Sequence, residues 1–312
     1  MYLKKPDFWD RKDSLLAYLL VPFTIITILY NFLRFKRKIY ISKKIKTICI
    51  GNIYLGGTGK TPTTIKLYDL LKKNKKVVTA KKYYPNHRDE EILLKRKSNF
   101  VTAKNRKEII EKAIKKKIDL VLFDDGLQDC QINYDIKLVC FDADNGIGNG
   151  LLIPAGPLRE NLNILKNYDA ILIKKYKKNA NFLVKLFKKY NSKIKIFFTE
   201  YRITNLNIID KSKKFLIFSG IGNPKNFESI LIKNNIKIIE RIIFPDHYFY
   251  SAKDLKNIIN KAKKLNVNIL TTEKDFTKIP KKFKKYIKFI KIDLIIKKEK
   301  NFLKFIKYKL ND

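Results

Sequence analysis

An α/β fold, a mostly parallel sheet flanked by helices, is what this sequence predicts, and three observations carry that expectation. Short apolar runs alternate with helix-like segments along most of the chain, the pattern of strand–helix–strand units. One run, T-I-C-I-G-N at 47–52, leads straight into glycines and a Lys-Thr pair, as where a strand hands on to a helix through a shaped loop. Another, V-L-F-D-D-G at 121–126, delivers two acids to a strand end. With 312 residues, 45% of them hydrophobic and 12% aromatic, the chain can build one large or two medium domains with a full core.

Taken in order, residues 15–33 read LLAYLLVPFTIITILYNFL, nineteen residues without a charge. Acids precede the run and no small-residue cleavage site follows it, which argues against a signal peptide. It is short for a bilayer span and Pro22 interrupts it. The first reading is a helix or broken helix lying in the cytoplasmic interface, with Trp9, Tyr18 and Tyr30 as anchors. A single span and a buried core helix are the alternatives. Strands are then expected at 47–52, 76–79, 119–124 and 137–142, with helices at 61–73 and 106–116. Further strands are expected at 170–174, 195–199, 215–220, 236–244, 268–272 and 289–295, and helices at 180–190, 225–234, 252–265 and 300–309. A boundary near 161–169 gives three parts: a membrane-associated segment (1–40), a nucleotide-binding lobe (41–165) and a second α/β lobe (166–312) contributing to a substrate cleft.

The net charge is +40, yet only nine of the 69 basic residues are Arg. The lysines are spread through nearly every segment together with Ile and Asn, so they read as solvated faces. No stripe of Arg and aromatics marks a nucleic-acid surface, and none is expected as a partner. Three cysteines (Cys49, Cys130, Cys140) show no metal-ligand spacing and fit reduced core thiols. In a chain with eleven glycines, clusters at G-G-T-G, D-D-G and G-I-G-N-G mark places where backbone shape matters.

The first motif is Gly56-Gly57-Thr58-Gly59-Lys60-Thr61 between a strand and a helix. Amides of such a loop and of the following helix N-terminus bind phosphate oxygens; the Lys reaches β- and γ-phosphates and the Thr hydroxyl can ligate Mg²⁺. The strict pattern has Gly where this chain has Tyr54, so the loop is a variant. The fold class is therefore P-loop NTPase-like. Asp124 and Asp125 stand where the Mg²⁺ carboxylate of such a site belongs. The Gly/Pro-rich stretch from Asn145 to Glu160 is a shaped loop ending in Arg159, and in a Lys-rich chain an Arg points to a bidentate need; Arg106 suggests the same more weakly. Phe244-Pro245-Asp246-His247 pairs a carboxylate with one of two histidines, the other being His87.

These motifs together resemble the tetraacyldisaccharide 4′-kinase family of lipid A (lipopolysaccharide) biosynthesis. The resemblance rests on L-G-G-T-G-K-T-P (55–62), D-D-G-L-Q (124–128), G-N-G-L-L-I-P-A-G-P-L-R-E (148–160), F-P-D-H (244–247) and T-T-E-K-D (271–275), in family order. It implies transfer of the γ-phosphate of ATP, with Mg²⁺, to the 4′-hydroxyl of a lipid-linked disaccharide 1-phosphate at the cytoplasmic face of the inner membrane. The chain is expected to act as a monomer. It further implies Asp89 as the base, assisted by His247, with Lys60 on the phosphates, and Tyr83, Arg106, Asn149, Arg159 and Glu160 as substrate contacts. The sequence departs from the family at 80–91, where the loop is shorter and its glycines are missing, and at Asp129, where the family tends to have His. Two other functions are open to the residues alone. One is a P-loop GTPase or metallochaperone, though Thr272-Glu273-Lys274-Asp275 sets its Lys one position late for a guanine-binding element. The other is a non-enzymatic basic membrane or nucleic-acid binder.

Overall fold

The uncharged run near the N-terminus forms two helices, α1 (Leu15–Leu20) and α2 (Thr24–Phe35), parted by a 3₁₀ turn at Val21–Phe23. Pro22 has no amide to continue a helical ladder, which fixes the break there. The Ser14 hydroxyl caps α1 by accepting from the Ala17 amide at 3.4 Å. The computed structural model describes residues 5–35, 40, 44–83, 88–129, 131–175, 180–222, 224–245 and 248–311, without the side chains of Phe35, Arg88 and Asp89.

Beyond this segment, strands and helices alternate. β1 (Lys46–Gly51), α3 (Lys60–Leu71), β2 (Val77–Lys82), α4 (Arg88–Lys97), β3 (Phe100–Ala103), α5 (Arg106–Lys115) and β4 (Leu120–Asp124) come first. β5 (Ile136–Asp142), β6 (Ala170–Lys174), α6 (Asn181–Tyr190) and β7 (Lys195–Ile203) follow. Then come β8 (Lys214–Ser219), α7 (Pro224–Lys233), β9 (Lys237–Ile243), α8 (Ala252–Lys264) and β10 (Asn268–Thr272). The chain ends with α9 (Glu273–Thr277), α10 (Lys281–Lys284), β11 (Ile287–Ile290), β12 (Ile292–Ile296) and α11 (Glu299–Leu310).

Two compact units result: residues 1–200 with 295–312, and residues 201–294 as an insertion. The boundary expected at 161–169 lies inside the first unit, because β6 pairs in parallel with β5 and extends the same sheet. Among the described residues that sheet has the order β12-β7-β6-β5-β1-β4-β2-β3. β1 lies in its interior, parallel to both β4 and β5. Every residue of β4 is buried, which is why it reads as an unbroken apolar run rather than an alternating one. On one side Phe141 packs against Phe187 of α6 with ring centroids 4.4 Å apart. The insertion carries a parallel sheet of order β11-β10-β8-β9. Its α8 starts with a reciprocal capping box between Ser251 and Asp254.

One expected strand, 289–295, is two. β11 closes the sheet of the insertion and β12 returns to the first sheet, with Lys291 between them. No Gly or Pro punctuates the apolar run, so the change of sheet leaves no local mark. The helix α4 and strand β3 fall in a stretch for which no element was expected.

Candidate active site

The carboxyl end of β1 opens into the glycine-rich loop. The Asn52 side-chain amide donates to the carbonyls of Tyr54 (2.5 Å) and Gly56 (3.1 Å), folding the loop back on its strand. Gly59, at φ 89°, is the residue before α3; this left-handed turn favours glycine and lets the helix start at Lys60. The first amides of α3 have no carbonyl partner within their own helix. A Cβ built on Gly57 would meet nothing within 4 Å, and the buried Thr58 hydroxyl has no hydrogen-bond partner. Space and unused donors at a helix N-terminus are what a phosphate group needs.

Opposite the loop stand the two acids. Parallel pairing sets Asp124 beside Ile50. The Thr61 hydroxyl donates to Asp124 Oδ2 at 2.9 Å, Thr64 donates to Oδ1 at 3.3 Å, and the Lys81 ammonium lies 3.2 Å from Oδ2. Burial pushes the Asp124 carboxyl above its usual range even though Lys81 opposes this. Asp125 adopts φ 58°, with its amide donating to the Ile50 carbonyl at 2.8 Å. Its carboxylate lies 3.6 Å from Lys60 and 3.6 Å from Arg159. Burial alone would raise the Asp125 carboxyl, but Lys60, Arg159 and Lys81 outweigh it and hold the group below the usual carboxylate range. The two neighbouring acids are thus shifted in opposite directions.

Asp125 Oδ1 is buried without a hydrogen-bond donor. With Thr61 Oγ1 and the Asp124 carboxylate it makes a set of hard oxygen donors beside the phosphate loop. Among the described residues no group of three or more His, Cys, Asp or Glu could hold a metal by itself. A site completed by water and phosphate oxygens suits Mg²⁺, which takes only one or two protein carboxylates in such settings. The residues present therefore fit that ion.

The other candidate residues divide. Arg159 stays with the acids, about a quarter exposed and 3.3 Å from Gln128 Oε1. Tyr83 follows β2 and is 41% exposed. Asp89 lies in the first turn of α4, its side chain beyond description, and His87 and His247 lie outside the described residues. Three residues that the resemblance names as substrate contacts make bonds within the protein. Arg106, 5% exposed, donates to Asp129 and to the Asp125 carbonyl (2.6 Å), bracing the Asp-Asp-Gly turn from below. Asn149 donates to the Ala155 carbonyl (2.9 Å) and accepts from the Leu151 amide (3.1 Å), closing its own loop. A Cβ on Gly156 would come 2.2 Å from Asn149 Oδ1, so the glycine makes room for that closure. Glu160, 3% exposed, bonds Arg34, Gln128 (3.1 Å) and Tyr168 (3.0 Å).

Glu160 also belongs to a seam that ties α2 to the loop. Thr27 donates to the Ile153 carbonyl (2.6 Å), Asn31 to the Arg159 carbonyl (2.9 Å), and Arg34 to the Glu160 carboxylate. Spacings of four and three residues place them on one helix face. Trp9 adds a bond from its indole to the Pro154 carbonyl at 2.9 Å. The outward residues are apolar: Leu15, Leu19, Ile26, Leu29 and Leu33 are all more than half exposed.

A sequence profile of the tetraacyldisaccharide-1-P 4′-kinase family matches residues 16–311. The tetraacyldisaccharide 4′-kinase of Pelagibacter ubique is 43% identical over 302 residues, covering 96% of each chain. That of Rickettsia akari is 36% identical over 297 residues, covering 88% of this chain and 87% of its own. A crystal structure titled as the "apo" form of LpxK from Aquifex aeolicus in complex with ATP superposes with a TM-score of 0.72 at 21% identity, covering 95% of this chain and 99% of that one, and so shares the fold. With a phosphate loop answered by Thr61 and Asp124, and relatives matched along nearly the whole length, the chain belongs to the tetraacyldisaccharide-1-P 4′-kinase family.

Proposed function

We propose that the chain transfers the γ-phosphate of ATP to the 4′-hydroxyl of a tetraacyldisaccharide 1-phosphate, giving the 1,4′-bisphosphorylated lipid of lipid A biosynthesis. The observation that carries this is the Thr61–Asp124 hydrogen bond across the phosphate loop, in a chain of this family. Lys60 and the loop amides hold the β- and γ-phosphates. Arg159, paired with Asp125, binds the transferred group or the acceptor. Thr61 and the two aspartates would hold Mg²⁺, which would supply charge neutralisation on the phosphates. Phosphoryl transfer asks little covalent help, so positioning and charge do most of the work.

The test is nucleotide and acceptor dependence. In detergent and Mg²⁺, ATP turnover should require the acylated disaccharide 1-phosphate, and GTP should support at least ~10-fold less. Preference for GTP, or hydrolysis indifferent to the acceptor, would overturn the assignment.

The acceptor hydroxyl must lose a proton as it attacks phosphorus, and the resemblance assigns Asp89 to take it and His247 to assist. Asp89→Ala and His247→Ala are each expected to lower kcat at least ~100-fold, with the double variant little worse than Asp89→Ala. If the two effects multiply, the residues serve separate steps and the pairing is wrong.

α2 presents apolar residues outward and its Thr27–Asn31–Arg34 face to the protein. That is the reverse of a helix facing water, and it fits a surface lying in or against the cytoplasmic face of the inner membrane, where the acyl chains of the acceptor remain. Leu15–Arg34 is also long and apolar enough to cross a membrane by length and composition. Replacing Ile26 and Leu33 by Asp should release the protein from sedimenting anionic vesicles without changing its turnover of detergent-dispersed substrate. Retained binding would remove this face from the membrane contact.

A further inference from the structure

Lys81 is buried, 4% exposed, at the end of β2. The parallel register that sets Ala80 beside Phe123 brings it next to Asp124. Its ammonium lies 3.2 Å from Asp124 Oδ2 and also bonds Glu90 Oε2. Glu90 sits in the first turn of α4, one residue after Asp89. A single buried cation therefore joins the carboxylate beneath the phosphate loop to the helix turn that carries the proposed base. Lysine is rarely buried unless paired, and here both of its partners are acids with different duties. Asp124 already accepts from Thr61 and Thr64, and Asp125 has Lys60 and Arg159. Simple compensation of Asp124 would not call for Glu90.

We propose that Lys81 is a positioning residue for phosphoryl transfer: by holding Glu90 to Asp124 it fixes the first turn of α4, and with it Asp89, against the phosphate site. The inference rests on the kinase reading and on Asp89 as base. It predicts a defect in the chemical step rather than in nucleotide binding, since among the described residues the hydrogen bonds and ion pairs of Lys81 go to Asp124 and Glu90 and not to the phosphate loop. Misplacement of a reacting group by about 1 Å is worth roughly 100-fold in rate.

The experiment compares Lys81→Met, Lys81→Arg and Glu90→Gln in the full-length protein in detergent. Binding of Mg²⁺ and a non-hydrolysable ATP analogue is measured by calorimetry without acceptor; kcat and KM are measured with it. Lys81→Met and Glu90→Gln should each lower kcat by roughly 30-fold or more while analogue Kd stays within ~3-fold, and Lys81→Arg should recover kcat to within ~5-fold of wild type. If Glu90→Gln keeps kcat within ~3-fold, the link does not serve the reaction and the inference fails. Loss of analogue binding alongside kcat would likewise overturn it, by placing Lys81 in the nucleotide site. If Lys81→Met does not fold, Glu90→Gln decides alone; its acid is 43% exposed, and a thermal melt confirms that the variant is native. An inactive wild type would instead refute the kinase reading, which separates that failure from this one.

Discussion

Lys60→Ala is expected to slow phosphoryl transfer roughly 10²–10³-fold while leaving the fold intact. Lys60 opens α3 directly after the left-handed Gly59, and its ammonium faces Asp125 at 3.6 Å. Removing it leaves Asp125 with Arg159, also at 3.6 Å, so no buried acid is stranded. What disappears is the positive charge proposed to lie beside the β- and γ-phosphates. Loss of one preorganised charge that stabilises a developing anion costs about 3 to 4 kcal/mol, or roughly 10²–10³ in kcat. A steady-state assay with a circular dichroism melt on the same sample checks both halves. Transfer within tenfold of wild type, about 1.4 kcal/mol, would take Lys60 out of the phosphate site.

Arg34→Met should be the most damaging substitution away from the chemistry. Arg34 and Glu160 are 5% and 3% exposed, and their ion pair anchors the end of α2 to the loop bearing Arg159. Glu160 also accepts from Gln128 and Tyr168, so without Arg34 its charge remains buried with neutral partners among the described residues. Breaking such a pair from one side costs about 3–5 kcal/mol, whereas replacing both partners with apolar residues is often close to neutral. The single variant should melt well below wild type, and Arg34→Met/Glu160→Met should recover most of the loss. A double variant as unstable as the single one would show that the loop depends on Glu160 for its bonds to Gln128 and Tyr168 rather than on the pair. Because the chain has two units, the comparison belongs to the transition that is sensitive to Arg34.

How far the sequence could be read depends on how local the determining interactions are. The passage from β1 through Gly56–Thr61 to α3 is written in adjacent residues, and so is the arrival of Asp124 at a strand end. Strands buried on both faces declare themselves as apolar runs, which made the parallel sheet legible. The same property hid the turn between β11 and β12, since the run continues through it. The placement of β6 in the first sheet depends on pairing with β5, a partner that no local pattern names. Glycines were informative at Gly59 and Gly156, where backbone shape or a close approach excludes a side chain. Partners at long range were not legible. Arg34 meets Glu160 across 126 positions, and nothing in R-E marked that acid as a helix anchor. Nor did the sequence name the bonds from Arg106 to Asp129 and to the Asp125 carbonyl. Lys81 was lost among the many lysines of a chain in which most are solvated; only its burial beside Asp124 and Glu90 separates it from them.

The most direct measurement is transfer of label. Purified protein is incubated with γ-³²P-ATP, Mg²⁺ and tetraacyldisaccharide 1-phosphate in detergent, and the lipid product is separated and its phosphate position determined by tandem mass spectrometry. The expected product carries one added phosphate, on the 4′-oxygen, and is formed at least ~100-fold faster by wild type than by Lys60→Ala. Label released only as inorganic phosphate, or a lipid that stays unlabelled in the presence of folded, ATP-binding protein, would contradict the kinase assignment.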